Sequence, residues 1–335
     1  MITPHLLFSK SILAENAGRW REHSVAMNRQ WAAVLTDAVP ADLLRDVVLP
    51  ATQFASCRTI AHAECLAAAG FQRIILTSRM ISAESLQRLR AVAERTQIMA
   101  VIDHFRHAEL LSQCVQSCTN SASVMICVLI EVDLGQQLTG VCPGTDAARL
   151  ASAAARLPGL NVVGVFASGN HYGDDVKSDE PNAGSSTIVT IAEHALRSIR
   201  EVTSECREIV VLVSSTDDAA CSDARVTSLI VSPFLAINNE LGDQALPPSV
   251  MLISTVISRP TLEWCVIDAG RVALRDASDV YVYAPAGAAI LHSTDDTSTL
   301  QLSSEAIDLR IGDTVQLAMR NPQRWLRNND SCRSA

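Results

Sequence analysis

Of the 27 Lys+Arg residues in the 335-residue chain, only Lys10 and Lys177 are lysines. Chemistry that needs a side-chain amine, such as imine formation, therefore has two candidates. His171 lies in Ser168-Gly169-Asn170-His171-Tyr172, directly after an apolar run. It titrates near neutral pH and is a candidate general acid or base. Ser168, Asn170 and Tyr172 are the polar groups beside it that a substrate would meet. Asp217 and Asp218, preceded by Thr216, are the second catalytic candidate. They could hold an amine, a metal ion or a proton in transit; a solvated turn capping the next helix is the alternative. Asn28 and Arg29 are candidate substrate contacts, Arg29 because a guanidinium grips a carboxylate with two parallel hydrogen bonds. A structural ion pair would use Arg29 equally well.

The ten cysteines are scattered, and several sit in apolar runs, as Cys127 does in Val124-Met125-Ile126-Cys127-Val128. Most therefore read as small buried hydrophobes. Cys57 and Cys142 would need a nearby base to act as nucleophiles. Cys114 and Cys118 have metal-like spacing, but no second Cys/His pair follows at zinc-site distance. Asp133 reads as a structural hydrogen-bond acceptor.

Such residues need a scaffold, and the apolar pattern supplies one. Strand-like runs occur at Leu6–Phe8, Val25–Asn28, Gln53–Arg58, Ile74–Thr77, Ile98–Ile102, Val124–Val132, Val162–Phe166, Ile209–Ser214 and Val226–Ile230. Amphipathic segments rich in Ala, Leu, Arg and Glu alternate with them. Continuous apolar strands, each followed by a helix, predict a parallel sheet with helices outside. About eight such units predict an α/β fold of the (β/α)8 barrel type over residues 1–232. The first strand is allowed to pack elsewhere. Beyond Pro233 the runs shorten and turn residues separate them, which predicts a C-terminal antiparallel β domain over 233–330 and a frayed tail at 331–335.

Several segments resemble fold-type III pyridoxal-phosphate enzymes, and most closely the D-threonine aldolase and D-serine dehydratase-like group with its alanine-racemase N-terminal barrel. They include Thr3-Pro4-His5-Leu6-Leu7-Phe8, the run from Thr59 to Gly70 with Glu64-Cys65-Leu66-Ala67-Ala68-Ala69-Gly70, and Glu131-Val132-Asp133-Leu134-Gly135. Thr139-Gly140-Val141, Pro143-Gly144, Leu157-Pro158-Gly159-Leu160, Ser258-Arg259 and Val266-Ile267-Asp268-Ala269-Gly270 continue the series. The resemblance implies a barrel whose second strand ends in a Schiff-base lysine and whose late loop cradles the cofactor phosphate with glycines. This chain departs from both patterns. No lysine lies between Lys10 and Lys177; the segment matched to the lysine strand is Val25-Ala26-Met27-Asn28-Arg29-Gln30. The phosphate loop reads Ser214-Ser215-Thr216-Asp217-Asp218, without glycine and with two repelling carboxylates. Leu138 and Ser168 replace family polar residues, and Met319–Trp325 has no counterpart of the His-x-Cys metal motif.

The expectation is therefore a D-threonine aldolase-like protein with no cofactor and no bound metal. It would act as a lyase or isomerase on a small amino-acid-derived substrate. A non-catalytic binding or scaffold protein is the first alternative, and a pyridoxal-phosphate enzyme with a displaced lysine at Lys177 is the second. Net charge is −9 with no basic run, which argues against nucleic acid and anionic membranes as partners. The N-terminus lacks a signal-peptide pattern, so a cytoplasmic protein is expected. The resemblance further implies a homodimer, in which Arg271 would approach the partner's cavity.

Overall fold

Continuous apolar runs become parallel strands wherever both faces are covered. The structure, a computed structural model, describes residues 2–34, 41–116, 124–135, 138–168, 185–212, 223–231, 240–241, 244–245, 248–275 and 279–319. Eight strands close into a barrel: β2 (Gln30–Val34), β3 (Phe54–Cys57), β4 (Arg73–Leu76), β5 (Gln97–Ile102), β6 (Ile126–Glu131), β7 (Leu160–Ser168), β8 (Glu208–Leu212) and β9 (Ser228–Val231). Neighbours are parallel throughout, and β2 closes the ring against β9 through Trp31↔Leu229 and Ala32↔Ile230. Helices α2 (Ala41–Leu43), α3 (Ile60–Ala69), α4 (Ala83–Ala93), α5 (Phe105–Gln116), α6 (Thr145–Ala155) and α7 (Ser185–Arg200) alternate with the strands. Thr59 and Ser82 cap α3 and α4 by accepting the His62 and Ser85 backbone N–H groups.

Side chains alternate across each strand, so every second residue enters the barrel. Ala32, Phe54, Ile75, Met99, Val101, Cys127, Leu129, Phe166, Val210 and Ile230 form one buried cluster. Burying a large member of this set contributes on the order of 2 kcal/mol. The N-terminal end of the barrel is plugged by Arg73. Its guanidinium lies 4.4 Å from the Phe54 ring centroid, 3.5 Å from Met99 Sδ and 3.3 Å from Glu208 Oε1, and donates to Gln30. The barrel is therefore a packed core whose usable opening is at the C-terminal ends of its strands.

The first barrel strand corrects the sequence reading. Val25 and Ala26 end helix α1 (Lys10–Ala26) rather than starting a strand. Asn28 adopts a left-handed φ of 52°, Arg29 N–H donates to Ser24 O at 2.8 Å, and Asn28 N–H donates to Val25 O at 3.0 Å. This is a Schellman stop, and asparagine tolerates its left-handed position better than most residues. The strand begins only at Gln30. Asn28 and Arg29 thus lie at the N-terminal end of β2, opposite the mouth where substrate contacts were expected.

The chain divides into two units, 18–35 with 41–233, and 1–17 with 36–40 and 234–335. In the second unit β10 (Glu240–Leu241) pairs with β11 (Gln244–Ala245), and strands β12 (Val250–Ser258), β13 (Trp264–Ile267), β14 (Val280–Ala284), β15 (Ala288–Ser293), β16 (Ser298–Leu302) and β17 (Thr314–Met319) form an antiparallel sheet in the order β14-β17-β12-β13-β16-β15. The first strand of the chain, β1 (His5–Phe8), pairs with β12 in register His5↔Ile253. Asp268 ties this unit together. It accepts Ser254 Oγ at 2.6 Å, the Thr255 N–H at 2.8 Å, and the Thr3 hydroxyl. Both expected architectures, the eight-stranded barrel and the antiparallel domain, are present. Among the described residues no helix is long and apolar enough to cross a membrane.

Candidate functional site

The mouth is built where β4, β5 and β6 end. Inward alternation on β6 runs Cys127, Leu129, Glu131, which puts a carboxylate on the rim. Asp103 is the first residue past β5, and Arg79 lies three residues past β4. The Arg79 segment is stitched to its neighbour strand: Thr77 Oγ1 donates to Cys57 O at 3.2 Å, and the Ser78 hydroxyl donates to Arg58 O. Arg79 Nη1 then donates to Thr77 O at 3.3 Å. From this position Arg79 Nη2 meets Asp103 Oδ2 at 2.9 Å and also pairs with Glu131.

The remaining oxygens are engaged too. Thr139 Oγ1 donates to Glu131 Oε1 at 3.0 Å, and the Gly140 N–H donates to Asp103 Oδ2 at 3.3 Å. His107, in the first turn of α5, brings Nδ1 within 3.1 Å of Asp103 Oδ1. The Glu131 side chain is 7% exposed and that of Asp103 17%, so both carboxylates depend on the arginine between them in place of bulk water. Burial pushes the Asp103 carboxyl upward, but Arg79, the Gly140 N–H and His107 outweigh it and hold it below its ordinary range. For His107, burial, Arg79 and His104 lower the pKa against the opposing pull of Asp103. The imidazole is therefore neutral at neutral pH and able to accept a proton.

Other residues singled out in the sequence are more dispersed. Ser168 ends β7, half-buried, and pairs in register with Leu212 of β8, on the same rim. Asp133 accepts the Gly135 N–H at 2.9 Å, a turn role. Cys57 is buried, and desolvation, with a smaller push from Cys65, moves its thiol far up, which suits packing rather than attack. Cys142 is exposed. Cys114 is buried and donates to Leu86 O at 2.8 Å. Arg271 opens helix α8 (Arg271–Leu274) and pairs with Asp295 at 2.7 Å, both exposed. Lys10 opens α1, ahead of the barrel. His171, Asn170, Tyr172, Thr216, Asp217, Asp218, Lys177 and Cys118 lie outside the described residues. Among those described, no group of three or more His, Cys, Asp or Glu could hold a metal ion.

Sequence reasoning missed Arg79, Asp103 and His107, and noted Glu131 only as part of a motif. A signal existed for Glu131, since a carboxylate continues an inward apolar alternation. Arg79 had none, because its partners come from two other strand ends.

The profile of the alanine racemase N-terminal domain matches residues 9–218. A D-threonine aldolase from Arthrobacter sp is 27% identical over 224 residues, 64% of this chain; the match spans 57% of that relative's length. Among solved structures, D-threonine aldolase from Filomicrobium marinum superposes with a TM-score of 0.83 at 18% identity, covering 98% of this chain and 90% of that one. D-threo-3-hydroxyaspartate dehydratase from Delftia sp. HT23 gives 0.71 at 18% identity, covering 96% and 90%. Alanine racemase from Corynebacterium glutamicum gives 0.68 at 18% identity, covering 94% and 90%. At these identities the structural likeness establishes the fold. With the profile spanning more than half of its length, the chain belongs to the alanine racemase N-terminal domain family, fold type III.

Proposed function

We propose that this chain is a D-threonine aldolase-like barrel that no longer uses pyridoxal phosphate through a Schiff base. It would carry out acid/base chemistry on a small amino-acid-derived substrate at the barrel mouth. The observation that carries the reading is the rim itself: among the described residues its half-buried cation is Arg79, locked between Asp103 and Glu131. An imine to the cofactor needs a lysine at a strand end. Val34, Cys57, Leu76, Ile102, Glu131, Ser168, Leu212 and Val231 end the eight strands, and no lysine occurs from residue 11 to 176. Arginine stays protonated and cannot replace it. The described residues therefore do not fit the cofactor as an imine partner, and the Asp217-Asp218 pair in sequence argues against its phosphate.

In this reading His107, oriented by Asp103, takes a proton at its second ring nitrogen and returns it. His171, Asp217 and Asp218 share the acid/base work; in sequence they follow β7 and β8. The chemistry is a lyase or isomerase step at a carbon next to a carbonyl. Two relatives carry the names of enzymes acting on D-threonine and D-threo-3-hydroxyaspartate, so 3-hydroxy-2-amino acids are the substrates to try first. The test is release of aldehyde or oxo acid by purified protein without added cofactor. His107→Ala and His171→Ala should each reduce turnover by about 100-fold. Full activity in both variants, or no turnover of any compound in the class, would sink the catalytic reading.

A second reading, a binding protein without turnover, draws on one observation. The rim carboxylates already accept from Arg79, Thr139 and Gly140, with His107 in contact. Ligand-induced thermal stabilisation without product would select it. The family's homodimer belongs to either reading, and light scattering tests it.

A further inference from the structure

The loop that returns to β6 is bound to the rim by a backbone bridge and by side-chain contacts that converge on one arginine. Val141 N–H donates to Glu131 O at 2.9 Å, and Asp133 N–H donates to Val141 O at 2.9 Å, so Val132 and Val141 form a parallel bridge. Gly140 has φ +102°, and a Cβ there would sit 2.5 Å from Asp133 N and 2.6 Å from Val132 C. Backbone contact this close requires glycine. The side-chain layer lies above these bonds: Thr139 on Glu131 and Gly140 N–H on Asp103. Both carboxylates share Arg79 Nη2, so each side-chain carboxylate that accepts from the loop is itself paired with the same nitrogen.

We propose that Arg79 is a positioning residue that clamps the Thr139–Val141 loop onto the rim of the barrel by bridging Asp103 and Glu131. The physical reason is desolvation. A buried carboxylate without its cation turns toward water or takes up a proton, and either change removes the acceptor the loop depends on. The clamp thereby fixes the loop at the end of the barrel where a ligand enters. It does so whether the mouth catalyses or only binds, so it stands apart from the acid/base reading.

Amide hydrogen exchange on the full chain tests this, because local opening is read residue by residue. Arg79→Met keeps the length and removes the charge. It should speed exchange at Asp133, Gly140 and Val141 by about tenfold or more beyond any rise at α3 and β8, whose amides follow only the loss of global stability. Arg79→Lys returns a cation that can sit between the carboxylates and should restore most of the protection. Equal behaviour of the Met and Lys variants, or unchanged loop exchange in a folded Met variant, would overturn the clamp. So would a uniform rise across the barrel, which indicates general packing instead. If Arg79→Met does not fold, Thr139→Val supplies the reading: it leaves the ion pairs intact and should loosen Gly140 and Val141 alone. Unaltered exchange there contradicts the proposal.

Discussion

One guanidinium nitrogen of Arg79 lies 2.9 Å from Asp103 Oδ2 and also contacts Glu131, joining the ends of three neighbouring barrel strands. Removing a single partner from such a cluster leaves charge stranded in a poorly hydrated place. Arg79→Ala should therefore lower the unfolding free energy by about 3 kcal/mol. Urea denaturation measures it, and a loss below about 0.5 kcal/mol would mean that the rim is far wetter than its burial implies.

The same cluster sets a pH dependence. The folded pKa of Asp103 is below its ordinary 3.8 and that of His107 is below 6.5. In both cases the unfolded chain binds more protons than the folded one between the two values. Each group's contribution is therefore complete above its ordinary pKa and is lost as pH falls. Stability should decline first below about pH 6.5, through His107, and again below about pH 4, through Asp103. Melting temperature against pH shows this; His107→Gln should shrink the first step, which His23 shares, and Asp103→Asn the second, which Asp223 and Asp268 share.

Thiol reactivity separates packing cysteines from accessible ones. Cys57, Cys114, Cys127, Cys206 and Cys265 are buried, and Cys65 and Cys142 are exposed. Burial also raises the thiol pKa of Cys57, Cys127, Cys206 and Cys265. Brief iodoacetamide labelling followed by peptide mapping should modify Cys65 and Cys142 and leave the five buried thiols untouched until denaturant is added. Early labelling of Cys57 would revive it as a nucleophile.

Gly164 carries the seam between β7 and β8. A Cβ there would lie 2.0 Å from the Glu208 carbonyl oxygen, whereas at Gly18 it would meet nothing within 4 Å. Gly164→Ala should cost about 2 kcal/mol or more, and Gly18→Ala, inside a helix, should be neutral or slightly stabilising. Paired thermal melts compare them.

Strands with long aliphatic runs were legible. Ile98–Ile102 appears at nearly the expected bounds, within Gln97–Ile102, because burial on both faces leaves an unbroken apolar signature. The strand Gln30-Trp31-Ala32-Ala33-Val34 was not. Its two alanines carry little β-propensity, and the β-branched Val25 just upstream belongs to a helix that Asn28 ends. That one misplacement carried Asn28 and Arg29 to the wrong end of the barrel. Family ancestry was readable from ordered motifs such as Glu131-Val132-Asp133. The rim was not, because Arg79, Asp103 and Glu131 meet only when β4, β5 and β6 lie side by side.

On the proposed reading, the barrel forms no imine with pyridoxal phosphate. Titrating purified protein with pyridoxal phosphate, followed by borohydride and peptide mapping, tests it most directly. No protein-bound absorbance at the visible edge and no pyridoxyl-lysine are expected. A saturable band that borohydride fixes on Lys177 would contradict it and identify a displaced Schiff-base lysine.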